Sequence, residues 1–563
     1  MALVSTKSAQ EHSANFSSRQ RTIALIVVSL AFIMDLLDST IVNVAIPTIQ
    51  SNLHATYATI QWLLAGYSLT FALLLITGGR MGDVYGYKKM FMIGVGGFTI
   101  ASLLSGVSVS PGMLIGARLL QGSMAALMVP QVISLMQVMY KPEERGAING
   151  LFGAMAGVAA SLGPVIGGIL IKFNIAGLDW RPIFLINVPV GVVGLLAAQK
   201  YLPNGKSTHP LKLDLIGTGI IVVALTLLVF PLIQGRELGW PLWSFIMMLA
   251  SLPVFYIFGR WQVIKNKRDK SPLIVPELFT KRAFAAGLLV NLVFEGAMLG
   301  FFLTFTLVIQ IGMGFSAIHS ALTGLPIAIG IAVTMATLGE KVIPRLGRKA
   351  IMLGGSIMTI GFTTVYLTLH HYGLATHSWQ LIPGLLIVGI GMGNVFGSLY
   401  GVVLNGVEVK HAGAASGILN AVQQVGGAIG IALIGVVFFG QLNHGATTSF
   451  QSVTPQLEKT LTAQQVPISA QTAIVTGTKH CFIDRSEEKD NTVVPPSCKQ
   501  TANQKTTPAV SSAIAVSAKQ ANDHNFNRAF GATMIFSASL LVIVFGLAFL
   551  LPKKSSTQPL PEF

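Results

Sequence analysis

The chain has 563 residues, of which 52% are hydrophobic and 10% charged, with a net charge of +16. Soluble domains carry about 25% charged residues, so this composition excludes an ordinary soluble enzyme and points to a chain that lives in lipid. The positive charge is spread through short gaps between apolar runs rather than gathered in one patch, which argues against nucleic acid as a partner.

A membrane helix needs about 20 apolar residues. Fourteen such stretches follow one another, near 22–46, 57–78, 90–109, 113–138, 146–171, 183–201, 213–234, 241–263, 284–309, 316–338, 350–370, 379–404, 412–440 and 527–551. The first lacks a small-residue cleavage site before a soluble domain and is expected as a retained span rather than a signal peptide. Lysine and arginine crowd into alternate gaps, whereas the short gaps of the other face hold Lys172, Arg181 and Arg236. Basic loops stay on the cytoplasmic side, so both tails, 1–21 and 552–563, are expected there, on a multi-pass protein of the plasma (inner) membrane. An even number of spans agrees with that arrangement.

A weak repeat marks two halves. Arg80-Met-Gly-Asp-Val-Tyr-Gly86-Tyr-Lys88-Lys89 follows the second span, and Pro344-Arg-Leu-Gly347-Arg-Lys349 follows the tenth. Two six-span repeats would separate these turns by six spans, not eight, so spans seven and eight are read as an insert. The expected organisation is a six-helix half over 22–201, two inserted helices with linkers over 202–270, and a six-helix half over 271–551. The long segment 441–526, rich in Ser, Thr, Ala and Gln, is expected as a loosely ordered outer loop with some local helix or hairpin. It holds Cys481 and Cys498, the only cysteines. Its compartment permits a disulfide, but spacing alone leaves open whether the sulfurs meet.

Charges inside the apolar spans are costly, about 2.5–3.5 kcal/mol each on insertion scales, and therefore point to function. Asp35 and Asp38 sit on the first span, three residues and about 4.5 Å of rise apart. Arg118 lies in the fourth span, and Glu295 lies in the ninth with Asn291 one turn before it. Close, partly desolvated carboxylates favour taking up a proton, the property that proton coupling requires. Gly205-Lys206-Ser207 has Lys200 where a phosphate loop needs its first glycine, so no ATPase is expected. No metal site and no cofactor are expected either.

Several motifs resemble one family. Gly79-Arg-Met-Gly-Asp83-Val-Tyr-Gly86-Tyr-Lys88-Lys89 is similar to the loop signature of the major facilitator superfamily. Arg118-Leu-Leu-Gln121-Gly122 resembles its second motif, and Gly163-Pro164-Val-Ile-Gly167-Gly168 its antiporter motif. Leu37-Asp38-Ser-Thr40-Ile-Val-Asn43-Val-Ala-Ile-Pro47, Gln61-Trp62…Tyr67 and Trp180-Arg181-Pro-Ile-Phe184-Leu-Ile-Asn187-Val-Pro189 resemble the fourteen-span drug:proton antiporters, the EmrB/QacA group. Departures are Val84 and Tyr87 in place of basic residues, Pro344 in place of an aspartate, Ala159 in place of a glycine, and the extra acid Asp35.

The resemblance implies an all-α major facilitator fold of fourteen transmembrane helices, and a proton-coupled exporter of amphipathic or cationic small molecules, multidrug-efflux type, rather than an enzyme. On that reading Asp35, Asp38, Arg118 and Glu295 couple protons. Gly79, Asp83, Gly86, Lys88 and Lys89 form a conformational switch, while Gly163, Pro164, Gly167 and Gly168 form the antiporter seam. Phe32, Met34, Trp62, Tyr67, Gln121, Asn291 and Phe294 are expected to line the substrate cavity. Partners would be substrate, protons and the lipid bilayer, with the chain acting as a monomer. A periplasmic adaptor and outer-membrane channel would join it in a Gram-negative host. Export of one dedicated metabolite or siderophore, or a non-transporting scaffold or receptor role, are the alternatives.

Overall fold

The computed structural model describes residues 18–140, 142–207, 211–339, 342–404, 407–408, 411–488, 493–502 and 507–552. Of the expected tails, 1–17 and 553–563 lie outside the described residues. The long helices are α1 (Ser18–Leu53), α2 (Tyr57–Tyr85), α3 (Tyr87–Gly106), α4 (Pro111–Met139), α5 (Pro142–Phe173), α6 (Pro182–Tyr201) and α7 (Leu215–Glu237). They continue with α8 (Leu242–Asp269), α9 (Arg282–Leu307), α10 (Ala317–Leu338), α11 (Arg348–Tyr372), α12 (Ser378–Val403), α13 (Ala412–Ala463) and α14 (Pro508–Ala548). Among the described residues, 13 helices are long and apolar enough to cross a membrane. The remaining one, α5, has 32 residues with an apolar end at Leu162–Phe173.

Local chemistry sets many of the helix ends. Ser110 and Thr507 cap α4 and α14 through bonds to Met113 N and Val510 N, with proline at the first helical position of each. The two repeat turns share one device. Gly86 has φ 102 and Gly347 has φ 53, each directly before the next helix, a backbone that side chains disfavour. The weak sequence repeat therefore records a shared turn geometry.

Packing repeats as well. α1 packs on α5 and α6, α2 on α4, and α3 on α4 and α6. Likewise α9 packs on α13 and α14, α10 on α12, and α11 on α12 and α14. Across the middle, α2 meets α13 while α5 meets α10, the exchange of positions that a two-fold relation between halves requires. Helix α7 touches α2 and α13, and α8 packs on α7. Exposed Leu249, Leu252, Tyr256 and Ile257 on α8 suit a lipid-facing surface.

The inserted pair is tied down at one end. Arg80, buried at the end of α2, donates to the carbonyls of Lys212 (3.3 Å), Ser271 (3.0 Å) and Pro272. Asp214, the N-cap of α7, accepts from Gly217 N, Trp261 Nε1, Gln262 Nε2 and Leu273 N at 2.9–3.3 Å. Burial alone would raise the Asp214 carboxyl, but these donors outweigh it and hold it below the usual carboxylate range.

The segment 441–526 departs from the loose loop expected of its polar composition. Helix α13 runs on to Ala463, the helix Ile468–Glu487 returns beside it, and α14 starts back at Pro508. Phe450, Val453, Leu457 and Leu461 line one face of α13 and bury against Ile474, Phe482 and Val510. That spacing is a helix stripe, and composition averages it away. Cys481 and Cys498 are disulfide-bonded, with Cα atoms 4.5 Å apart. Closing a loop of that length is worth about 3 kcal/mol. This segment stands on one face of the molecule, the bundle face, and the basic loops lie on the opposite, basic face.

Candidate functional site

In the first half, α1, α2, α3, α4 and α6 bring polar side chains to one buried point. Arg118 Nη1 pairs with Asp38 Oδ2 and donates to Gln121 Oε1 (2.6 Å), while its Nε donates to Leu63 O (3.3 Å). Asp38 Oδ1 accepts from Gln121 Nε2 (2.7 Å) and Asn187 Nδ2 (3.0 Å), and both amides also donate to Ser102 Oγ. Asp38 and Arg118 are each 1% exposed. An ion buried alone costs several kcal/mol, and here further hydrogen bonds with Gln121, Asn187 and Leu63 O surround the pair. One turn away, Tyr67 donates its hydroxyl to Asp35 Oδ1, and its ring lies 4.4 Å from the Arg118 guanidinium.

The second half holds a smaller cluster. Glu295 on α9 is buried, and its Oε1 accepts from Gln423 Nε2 of α13 at 2.7 Å. The Tyr400 hydroxyl donates to Asn420 Oδ1 and to Gln423 Oε1 (3.3 Å), so a polar chain leads from exposed Tyr400 to the buried acid. Asn291 donates to Leu419 O (3.0 Å), and its own oxygen is buried without a partner among the described residues.

The halves meet toward the bundle face. Gln61 Nε2 donates to Ile431 O (3.0 Å) and Ala432 O (3.4 Å), passing where a Cβ on Gly435 would stand. Tyr57 and Phe439 have ring centroids 4.1 Å apart. In the antiporter motif, Gly163 and Gly167 lie against Thr40 and Ile41 of α1, and Pro164 sits within α5. Gly168 faces the other half, where a Cβ would come within 2.6 Å of Ile318 Cα on α10. On the basic face, Asp83 accepts from Tyr87 of its own turn at 3.0 Å, Lys88 donates to Gln199 O at the end of α6 (2.7 Å), and Lys89 is exposed. Gly79 makes ordinary contact with Pro130, whereas Gly78 and Gly82 take the tight crossing with α4.

Several residues expected to line a cavity have other surroundings. Gln121 is fully buried and spent on Asp38 and Ser102, because an amide can serve the acid and the hydroxyl at once. Met34 packs in the first-half core beside Val95 and Phe91, and the Phe32 ring lies tilted against Phe152 with centroids 4.9 Å apart. Phe294 is fully buried, edge-on to Phe396 at 5.3 Å. Trp62 stands at the bundle face, 5.8 Å from Phe230 of the insert, and lines a cleft of ≈ 310 Å³ with Gln234 and Glu237. Apolar residues on a helix flanked by other helices mostly pack as core. Sequence reading gave no role to Ser102, Asn187, Tyr400, Asn420 or Gln423. They are neutral, and it is their place in the hydrogen-bond networks around Asp38 and Glu295 that sets them apart.

A two-fold arrangement of six-helix units around one buried ion pair and two further buried acids defines a polytopic transporter. Residues 28–431 match the Major Facilitator Superfamily, and the chain belongs to that family. It is a multi-pass membrane transporter of small molecules, not an enzyme. It is 40% identical to the "Probable actinorhodin transporter" of Streptomyces coelicolor over 95% of this chain and 92% of that one. It is 31% identical to the "Tetracenomycin C resistance and export protein" of Streptomyces glaucescens over 73% and 75%. Its fold resembles that of a bacterial homologue of the human lysosomal transporter Spinster, in an inward-facing and occupied conformation, with TM-score 0.55, 16% identity and coverage of 95% and 97%.

Proposed function

We propose that the chain is a proton-coupled exporter of amphipathic or cationic small molecules, working as a monomer by alternating access. The observation that carries this reading is the pair of buried acid clusters, one in each half, in a family member similar to proteins named for actinorhodin transport and for tetracenomycin C resistance and export. The halves 22–201 and 271–551 would rock about their shared seam, with 202–270 as an insert. The contacts at Gln61, Tyr57 and Gly168 favour a state closed at the bundle face. Asp83, bonded within its own turn, then corresponds to a released latch. The basic loops support a cytoplasmic basic face in the plasma membrane, which would make the closed face the outer one.

In inside-out vesicles from a pump-deficient host, adding a transported antibiotic should dissipate an imposed proton gradient. Gradient-independent export, or none, would remove the antiport reading. A second reading, one dedicated antibiotic or metabolite as cargo, is favoured by the likeness to a probable actinorhodin transporter over nearly the whole chain. Resistance to a single compound in the same host, rather than to many, would select it.

A further inference from the structure

The two acids of α1 differ in how their oxygens are occupied. Both oxygens of Asp38 are taken by N–H donors, Gln121 and Asn187 on Oδ1 and Arg118 on Oδ2. Guanidinium and amide nitrogens only donate. These three donors are arranged around a charged acceptor, so a proton on Asp38 would neutralise the one carboxylate paired directly with the buried Arg118, a costly arrangement. Asp35 receives one hydrogen bond among the described residues, from the Tyr67 hydroxyl to Oδ1, and its Oδ2 is left open. A hydroxyl both donates and accepts, so Tyr67 can stay bonded to Asp35 whether or not the acid holds a proton. The ring of the same Tyr67 lies against Arg118, so one side chain touches the open acid and the partner of the closed one. The titratable and charged groups that act on Asp35 among the described residues are Tyr67 of α2, Asp38 of α1 and Arg118 of α4.

We infer that Asp35 is the α1 group that takes up and releases the proton, that Asp38 and Arg118 form a fixed ion pair, and that Tyr67 is the positioning residue linking the two. This assignment rests on the proton-coupled reading above. Uptake converts the Asp35 carboxylate to a carboxylic acid and removes one negative charge from beside Arg118. Asp38 is then the only carboxylate charge beside Arg118, and Tyr67 stays bonded to the neutral acid while its ring remains against the guanidinium. The extra acid departs from the family motif for a chemical reason: the motif aspartate is already committed.

The test is pH-difference infrared spectroscopy of the full chain in lipid, reading the C=O stretch of protonated carboxyls. The range is about pH 6 to about pH 9, where exposed carboxylates stay ionised. Wild type is expected to show a titrating band, part of which survives Glu295→Gln. In that background Asp35→Asn should abolish the remainder and Asp38→Asn should leave it. Tyr67→Phe should keep the band and displace its midpoint by about one pH unit, the scale of one hydrogen bond to a charged group. If Asp38→Asn does not fold, the neutral pair Asp38→Asn/Arg118→Gln takes its place with the same expected band. Loss of the remainder with Asp38→Asn and its survival in Asp35→Asn overturns the assignment, as does a band that vanishes with Glu295→Gln alone. An unmoved midpoint in Tyr67→Phe overturns the linking role of Tyr67. No titrating band in wild type overturns proton coupling itself.

Discussion

At the scale of single residues, the Asp38–Arg118 pair makes the sharpest demand. Removing one member leaves a buried ion without its partner. Arg118→Ala should therefore cost about 3–5 kcal/mol, read as a fall in thermal unfolding temperature in detergent. The neutral double replacement Asp38→Asn/Arg118→Gln should recover most of that loss, and failure to recover it would mean that the guanidinium is held by its packing instead. Gly86→Ala should cost about 1–3 kcal/mol, because its φ of 102 lies where a Cβ is strained. Much of this was legible beforehand. Asp35, Asp38, Arg118 and Glu295 stand out because ions in apolar runs are rare. Their partners do not stand out: Asn187 is 149 residues from Asp38 and Gln423 is 128 from Glu295, and neutral amides carry no mark of what they face. The tight crossing at Gly78 and Gly82 rather than Gly79 depends on where α4 lies, which the α2 sequence does not contain.

At the scale of helices, the seam between α5 and α10 should decide which face is closed. Gly168→Val would drive a side chain into the Ile318 backbone and hold the bundle-face ends apart. Spin-label distances across that seam should lengthen and export should fall, whereas unchanged distances would show that the seam tolerates bulk. The insert is governed by Asp214. Its carboxyl is held below the ordinary range, so its contribution is present above about pH 3.9, the ordinary aspartate value, and is lost as pH falls further through the native value. Hydrogen exchange of the 211–217 and 261–274 backbone should accordingly rise on strong acidification, and Asp214→Asn should show the raised exchange at neutral pH. The polar bundle shows how composition can mislead. Its core stripe of Phe450, Val453, Leu457 and Leu461 was present in the sequence, diluted by serine, threonine and glutamine on the other faces.

At the scale of the whole molecule, the fold reads well from sequence because hydropathy counts spans and the Gly86 and Gly347 turns register the two halves. What the sequence does not carry is the pairing of α2 with α13 and α5 with α10, which arises only when both halves are assembled. The bundle lies apart from the acid clusters. Cys481→Ser/Cys498→Ser should thus loosen it by about 3 kcal/mol, seen as faster proteolysis of 464–507, while vesicle export stays near wild type. A matching loss of export would make the bundle part of the transport cycle.

Helix α13 has 52 residues and so spans about 78 Å, against about 30 Å of hydrocarbon. It and α14, both helices of the second half, carry the stapled tip beyond that thickness as a lever arm. Any rocking of that half must sweep the tip through a wider arc than the seam itself. Fluorophores on the tip and on the Asn174–Asp179 turn of the other half would follow individual turnovers without touching the cargo's route.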